Sequence, residues 1–203
     1  MMTELSFGDA YTTEVLVQIE RHVDPEKGSL ALFTSRRMME AVYGSLSPEL
    51  KSITLVQGEM SKHEILDKHA ERVKADKGSL IFGLASFSEG VDLPGALCEH
   101  VIITKLPFSV PDSPVEATYS EWLEAEGRNP FMEMAVPDAC IKLVQSCGRL
   151  IRTETDTGKI TILDKRIVTK RYGPAMLRSM PPMPLIVEQE DIEAIQTPEG
   201  VVG

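Results

Sequence analysis

Cysteine is scarce, with three in 203 residues (Cys98, Cys140, Cys147) and no CxxC pair. That count excludes a disulfide framework and fits a reducing cytoplasm. No apolar run approaches the roughly 18 residues that a helical membrane span needs. The opening MMTELSFGDA lacks the basic and apolar regions of a signal peptide. Basic charge is also short: 21 Lys+Arg face 31 Asp+Glu, giving a formal net charge of −10 and a pI near 4.9. A binder of nucleic acid that works by bulk charge is excluded; a local basic surface is not. These absences together lead us to expect a soluble, cytoplasmic protein.

What is present is ordinary for a folded chain: 42% hydrophobic and 26% charged residues. Val15, Leu16, Ile19 and Val23 mark one face of a helix starting near Asp9, a good N-cap, and Pro25 and Gly28 break it. The run SLALFTS (29–35) reads as a strand covered on both faces. Ser35 then caps a helix carrying Met38, Met39, Val42 and Leu46. SITLVQ (52–57) is a second strand, and Ser61-Lys-His-Glu64 is a capping box for a helix with Ile65, Leu66, His69 and Val73 inward. SLIFGLA (79–85), HVIIT (100–104) and KITILD (159–164) are further strands. Helices are expected around Val115–Glu126 and from about Pro137 to Arg152.

Strands alternating with amphipathic helices predict an α/β fold with a mostly parallel sheet covered on both faces. The expected organisation is an N-terminal extension (1–8), one domain (9–185) with a proline-rich insertion (105–136), and an acidic, flexible tail (186–203). Ligands of such sheets gather at the carboxyl ends of the strands.

Three segments carry candidate chemistry. On the helix expected over 137–152, Gln145, Arg149 and Arg152 fall within about 60° of arc at 100° per residue, with Lys142 beside them. Two forked, permanently charged guanidinium groups a turn apart suit a transferring phosphoryl group. The same pattern also fits a plain solvated face. After the third strand, the loop holding Glu89, Gly90 and Asp92 can hold a ribose hydroxyl, orient water or fix an arginine, or be only a turn. At the end of the first strand, Thr34, Ser35, Arg36 and Arg37 make a phosphate site or simply an N-cap with solvated arginines. Asp164-Lys165-Arg166 closes the fifth strand.

Charge is unevenly placed. Residues 141–180 hold nine Lys/Arg and three Asp/Glu, a net +6 that leaves −16 elsewhere. An anionic ligand at this end of the chain is implied. His63 and His69 are badly spaced for a shared metal, and no metal site is expected. His69 lies on the apolar stripe as a hydrogen-bonded core residue. Cys140 and Cys147 read as packing residues.

Taken in order, these segments resemble the C-terminal motor domain of superfamily 2 helicases, in the DinG branch of the XPD-like DNA helicases. LALFTSRR is similar to motif IV, SFSEGVDLPG to motif V, and QSCGRLIR to motif VI in its QxxGRxxR form. ILDKRIVTKRYG resembles the aspartate-x-arginine element closing the domain in this branch, and KLPFSVPDSPV fits between motifs V and VI. The similarity covers about residues 10–185.

The resemblance implies a RecA-like second lobe of an ATP-driven motor, working 5′ to 3′ on single-stranded DNA. Arg149 and Arg152 would reach the γ-phosphate, with Arg152 as the finger, and Gln145 would couple phosphate to closure. Glu89, Gly90 and Asp92 would belong to the nucleotide-sensing loop. Thr34, Ser35, Arg36 and Ser86 would hold the DNA backbone, and Asp164 and Arg166 would form the closing structural element. ATP and Mg²⁺ would be shared with a first lobe, and the branch's iron–sulfur cluster would sit there too. The sequence contains no GxxxxGK[ST] phosphate loop and no DEAH-like acidic box. A fragment or split subunit, inactive alone, is therefore expected. The alternatives are a non-catalytic module binding nucleic acid or protein, and an unrelated doubly wound nucleotide enzyme.

Overall fold

The computed structural model describes residues 7–84, 87, 90–109, 113–148, 150 and 157–188. Five strands form one parallel sheet: β1 (Gly28–Phe33), β2 (Thr54–Val56), β3 (Ser79–Leu84), β4 (His100–Ile103) and β5 (Lys159–Ile162), in spatial order β2-β3-β1-β4-β5. All six residues of β1 are buried, as a central strand covered on both faces requires. β2 and β5 are the edges, and β5 is only partly buried.

The period-2 alternation of β1 splits the core. Leu30 and Leu32 join Ile81, Val101 and Ile103 on one face, beneath α4 (Lys62–Lys74), α6 (Val136–Cys147), α7 (Arg166–Thr169) and α8 (Gly173–Ser179). Ala31 and Phe33 join Leu80, Phe82 and Ile102 on the other, beneath α1 (Phe7–His22), α2 (Arg36–Ser45) and α3 (Pro48–Ile53). The remaining helix, α5 (Pro114–Ala125), lies in the proline-rich insertion and buries only Leu123. The expected doubly covered parallel α/β sheet is what forms.

Several boundaries differ from expectation. The first helix starts at Phe7, so Asp9 lies inside its first turn rather than capping it. α3 was not anticipated: residues 52 and 53 belong to it, and β2 shrinks to three residues. Ser47 caps α3 with Pro48 in its first turn, a start signal that the apolar pair Leu50 and Ile53 disguised as the approach to a strand. β5 ends at Ile162 rather than at Asp164. A π-helical turn, Phe131–Ala135, feeds α6, which ends at Cys147 with Gly148 as its C-cap. Of the face drawn through Gln145, Arg149 and Arg152, only Gln145 lies on the described part of α6. The Ser61 box is half formed: Ser61 Oγ accepts from Glu64 N–H at 3.2 Å, while the Glu64 carboxylate pairs with Lys68 at 3.0 Å.

Candidate functional site

The carboxyl edge of the sheet is where the first, second and third strands deliver their loops. At the end of β1, Thr34, Ser35, Arg36 and Arg37 are exposed together. Ser35 is the N-cap of α2, its hydroxyl accepting Met38 N–H at 3.4 Å. The arginine that follows is placed by its neighbour loop. Gly58 takes a left-handed φ of +107°, and a Cβ there would stand 2.5 Å from Arg36 Nη1, so the guanidinium crosses directly over the glycine backbone.

One residue earlier in that loop, Gln57 ties two strand ends together. Its N–H donates to Phe82 C=O at 2.9 Å, and its Oε1 accepts Leu84 N–H at 2.7 Å. The carboxamide thus extends the β2–β3 ladder at the point where the chain leaves β3 for the Glu89 loop. No periodicity singles out Gln57. The only available signal was its position directly after a strand, at the ligand edge.

The loop itself is anchored by three apolar residues. Phe87, Val91 and Leu93 are buried, and the Phe87 ring lies against Gly83. Lys62 Nζ stands 5.2 Å over the same ring. Gly90 and Asp92 are left exposed between the anchors, Gly90 with φ +67°. Ser86 and Glu89 lie outside the described residues. The local pattern explains itself: apolar side chains at 87, 91 and 93 fix the loop and leave Gly90 and Asp92 facing out.

At the fourth and fifth strands the edge is closed by an ion pair whose acid is buried. Asp164 is 4% exposed, and its carboxylate takes Arg166 Nη2 at 2.6 Å, Arg166 Nε at 2.9 Å and Leu106 N–H at 3.0 Å. Burial alone would raise the Asp164 carboxyl. The Arg166 fork and the two backbone donors outweigh it and hold the group below its usual 3.8. Arg166 also stacks 5.3 Å over Phe108, which packs with Phe131 and Tyr172. Nearby, Thr104 donates to Leu32 C=O at 3.0 Å, and the Tyr11 hydroxyl donates to Thr104 C=O. Desolvation, then the negative charge of Asp164, pushes the Tyr11 phenol upward.

On α6, Gln145 is exposed, and Lys142 pairs with Asp138 at 2.9 Å and meets Ser109. Lys142 is thus drawn toward the 105–109 segment rather than left beside Gln145. Leu143, Cys147 and Leu150 are buried, as the apolar face requires, and Cys140 is partly buried. Arg149 and Arg152, the two residues placed at the γ-phosphate, lie outside the described residues. Exposed Lys165, Lys170, Arg171 and Arg178 follow on α7 and α8 and their flanks. His69 is a core residue, with Nε2 at 2.6 Å from Leu97 C=O. Among the described residues, no cluster of three or more His, Cys, Asp and Glu could hold a metal.

A family model of the helicase C-terminal domain matches residues 17–183. The chain belongs to the helicase C-terminal domain family. It is 46% identical over 183 residues to the ATP-dependent DNA helicase DinG of Photobacterium profundum, covering 89% of this chain and 26% of that relative. It is 36% identical over 196 residues to the ATP-dependent DNA helicase DinG of Escherichia coli, covering 96% of this chain and again 26% of the relative. This helicase C-terminal domain thus spans about a quarter of the length of the curated relatives it matches. Among solved structures, an apo XPD matches with TM-score 0.61 at 23% identity, over 83% of this chain and 33% of that one. A second XPD helicase structure matches with TM-score 0.61 at 21% identity, over 88% and 31%. These support the RecA-like fold, and the DinG-type resemblance read from the motifs stands. No described helix is long and apolar enough to cross a membrane.

Proposed function

We propose that this helicase C-terminal domain is the second motor lobe of an ATP-dependent DNA helicase of the DinG type, working 5′ to 3′. The observation that carries the reading is the ordered set of motif IV, V and VI segments around one parallel sheet, in a chain whose family model spans residues 17–183. In this reading Arg152 reaches across to the γ-phosphoryl group of ATP bound by a first lobe, with Arg149 beside it and Gln145 coupling phosphate to closure. An arginine in this role accelerates transfer by about 10³–10⁵, because it offsets charge that develops only in the transition state. Gly90 and Asp92, with Glu89, sense the nucleotide. The fixed anchors at Phe87 and Val91 let that loop respond as a unit.

The donor set fits a shared site rather than a complete one. The edge offers hydroxyls, guanidinium groups and helix N–H groups, which suit phosphate oxygens. The first lobe would supply the phosphate loop, the Mg²⁺ carboxylate and any iron–sulfur cluster, so the isolated chain would not hydrolyse ATP. Thr34, Ser35, Arg36 and Ser86 would hold the backbone of single-stranded DNA, and the Gly58 contact keeps Arg36 on that track.

The test is DNA-dependent ATP hydrolysis by the full-length helicase carrying Arg152→Ala. Turnover should fall by at least about 10³ with ATP affinity within a few-fold of wild type. Unchanged turnover would remove the assignment.

A further inference from the structure

The insertion helix α5 presents a surface that the motor reading leaves unused. Val115, Tyr119 and Trp122 recur at i, i+4 and i+7, so they share one face, and they are 78%, 45% and 48% exposed. The helix is rigidly built: Ser113 and Glu116 form a complete capping box, and Pro114 occupies its first turn. The aromatic pair is also fixed. Tyr119 and Trp122 stack at 5.6 Å with 15° between their planes, and Arg128, tied to Glu133, lies 5.6 Å from the Trp122 ring. With Pro114 and Thr118 they make one open, almost wholly apolar face of the helix.

Charge decides what can cover it. Residues 113–138 hold six acidic side chains and one basic, a net −5. Glu121, Glu124 and Glu126 are exposed and without an ion pair among the described residues. The α7–α8 segment is the reverse, with Lys165, Lys170, Arg171 and Arg178 exposed and likewise without an acidic partner among the described residues. Phosphate backbones are repelled from the α5 rim and drawn to the other segment. Nucleic acid would otherwise be the natural occupant of a stacked Tyr–Trp pair.

We propose that α5 is a docking surface for a basic polypeptide segment with apolar anchors at helical spacing. The anchors pack on the Val115–Tyr119–Trp122 face, and flanking lysines or arginines pair with Glu121 and Glu126, which neighbour Thr118 and Trp122 at i+3 and i+4. Preordered Tyr and Trp suit a binding centre because little rotamer freedom remains to be lost.

Trp122 is the only tryptophan in the chain, so its fluorescence reports on this face alone. The probes are a synthetic amphipathic peptide with leucines at i, i+4 and i+7 and lysines between, the same peptide with every lysine replaced by glutamate, and oligodeoxythymidylate. The lysine peptide should give a saturable Trp122 response, at least ten-fold tighter than the glutamate peptide and weakened by salt. Glu121→Lys with Glu126→Lys should weaken it at least ten-fold, and Tyr119→Ala likewise, with an unchanged far-ultraviolet circular dichroism spectrum. Equal binding of the two peptides, no response to either, or insensitivity to these substitutions would overturn the proposal. So would a saturable response to oligodeoxythymidylate, or a concentration-dependent Trp122 shift of the chain alone that marks self-association.

Discussion

Arg166 grips Asp164 side-on, its Nε within 2.9 Å of Oδ1 and its Nη2 within 2.6 Å of Oδ2, while Leu106 N–H takes the same carboxylate from the neighbouring strand exit. A single buried acid therefore fastens the ends of β4 and β5 and sets the 105–109 segment against α6. Replacing Asp164 with Ala leaves Leu106 N–H and a third-exposed guanidinium without their partner. The expected loss is about 2–3 kcal/mol, read from urea unfolding at neutral pH. The sign with pH follows from the depressed carboxyl. Its contribution is present above the unfolded value of 3.8 and is lost as pH falls through the lower folded value. The Asp164→Ala and wild-type stabilities should thus converge only in strong acid.

His100 governs a different pH window. It is buried in β4 with Nε2 2.8 Å from Thr161 Oγ1, and burial first, then Lys159 and His22, lowers it from 6.5 to about 4. The folded state holds it neutral while the unfolded chain takes up a proton. Stability is full above pH 6.5 and declines as pH falls from there toward 4, by on the order of 2–3 kcal/mol. His100→Gln should flatten that decline in urea midpoints measured between about pH 7.5 and 4.5. A slope equal to wild type would contradict it.

Gln57 offers a local test of how the Glu89 loop is held. Its Oε1 accepts Leu84 N–H at 2.7 Å, the last ladder bond before the loop. Gln57→Ala should cost about 1 kcal/mol overall and expose the Leu84 amide to faster hydrogen exchange. Exchange at Ile81, deep in β3, should keep its wild-type protection.

Two glycines in that region should behave differently when changed to alanine. A Cβ on Gly83 would meet the Phe87 side chain at 2.9 Å, so the buried anchor of the loop must move. Overpacking of this kind costs about 1–3 kcal/mol. Gly90 has open space around it but a φ of +67°, so Gly90→Ala carries only backbone strain, about 1–2 kcal/mol. Thermal unfolding of both variants, with nucleotide response in the full-length helicase, separates displacement of the loop from stiffening of one residue.

The strands were legible because both-face burial writes itself as a continuous apolar run: GSLALF is buried throughout, and SLIFGL nearly so. Ser35 and His69 were legible for local reasons, a cap before an amphipathic repeat and a ring on its apolar stripe. α3 was not, because six residues give fewer than two turns and Leu50 and Ile53 carry no distinctive period. The end of α6 was misread since its apolar period runs on to Leu150 through Gly148, whereas the helix stops at Cys147. Gln57, and the hold of Asp164 on Leu106, depend on which strand ends become neighbours. The order β2-β3-β1-β4-β5 fixes that, and no local pattern encodes it.

The most direct measurement is capture of nucleotide in its transition-state geometry. Full-length helicase, with single-stranded DNA and Mg²⁺, is titrated with ADP and aluminium fluoride, comparing wild type with Arg152→Ala and Arg149→Ala. If this lobe supplies the guanidinium groups to a triphosphate held opposite, the trapped complex is lost in Arg152→Ala while ADP still binds as in wild type. Equal trapping by both variants and the parent would show that the charge comes from somewhere else.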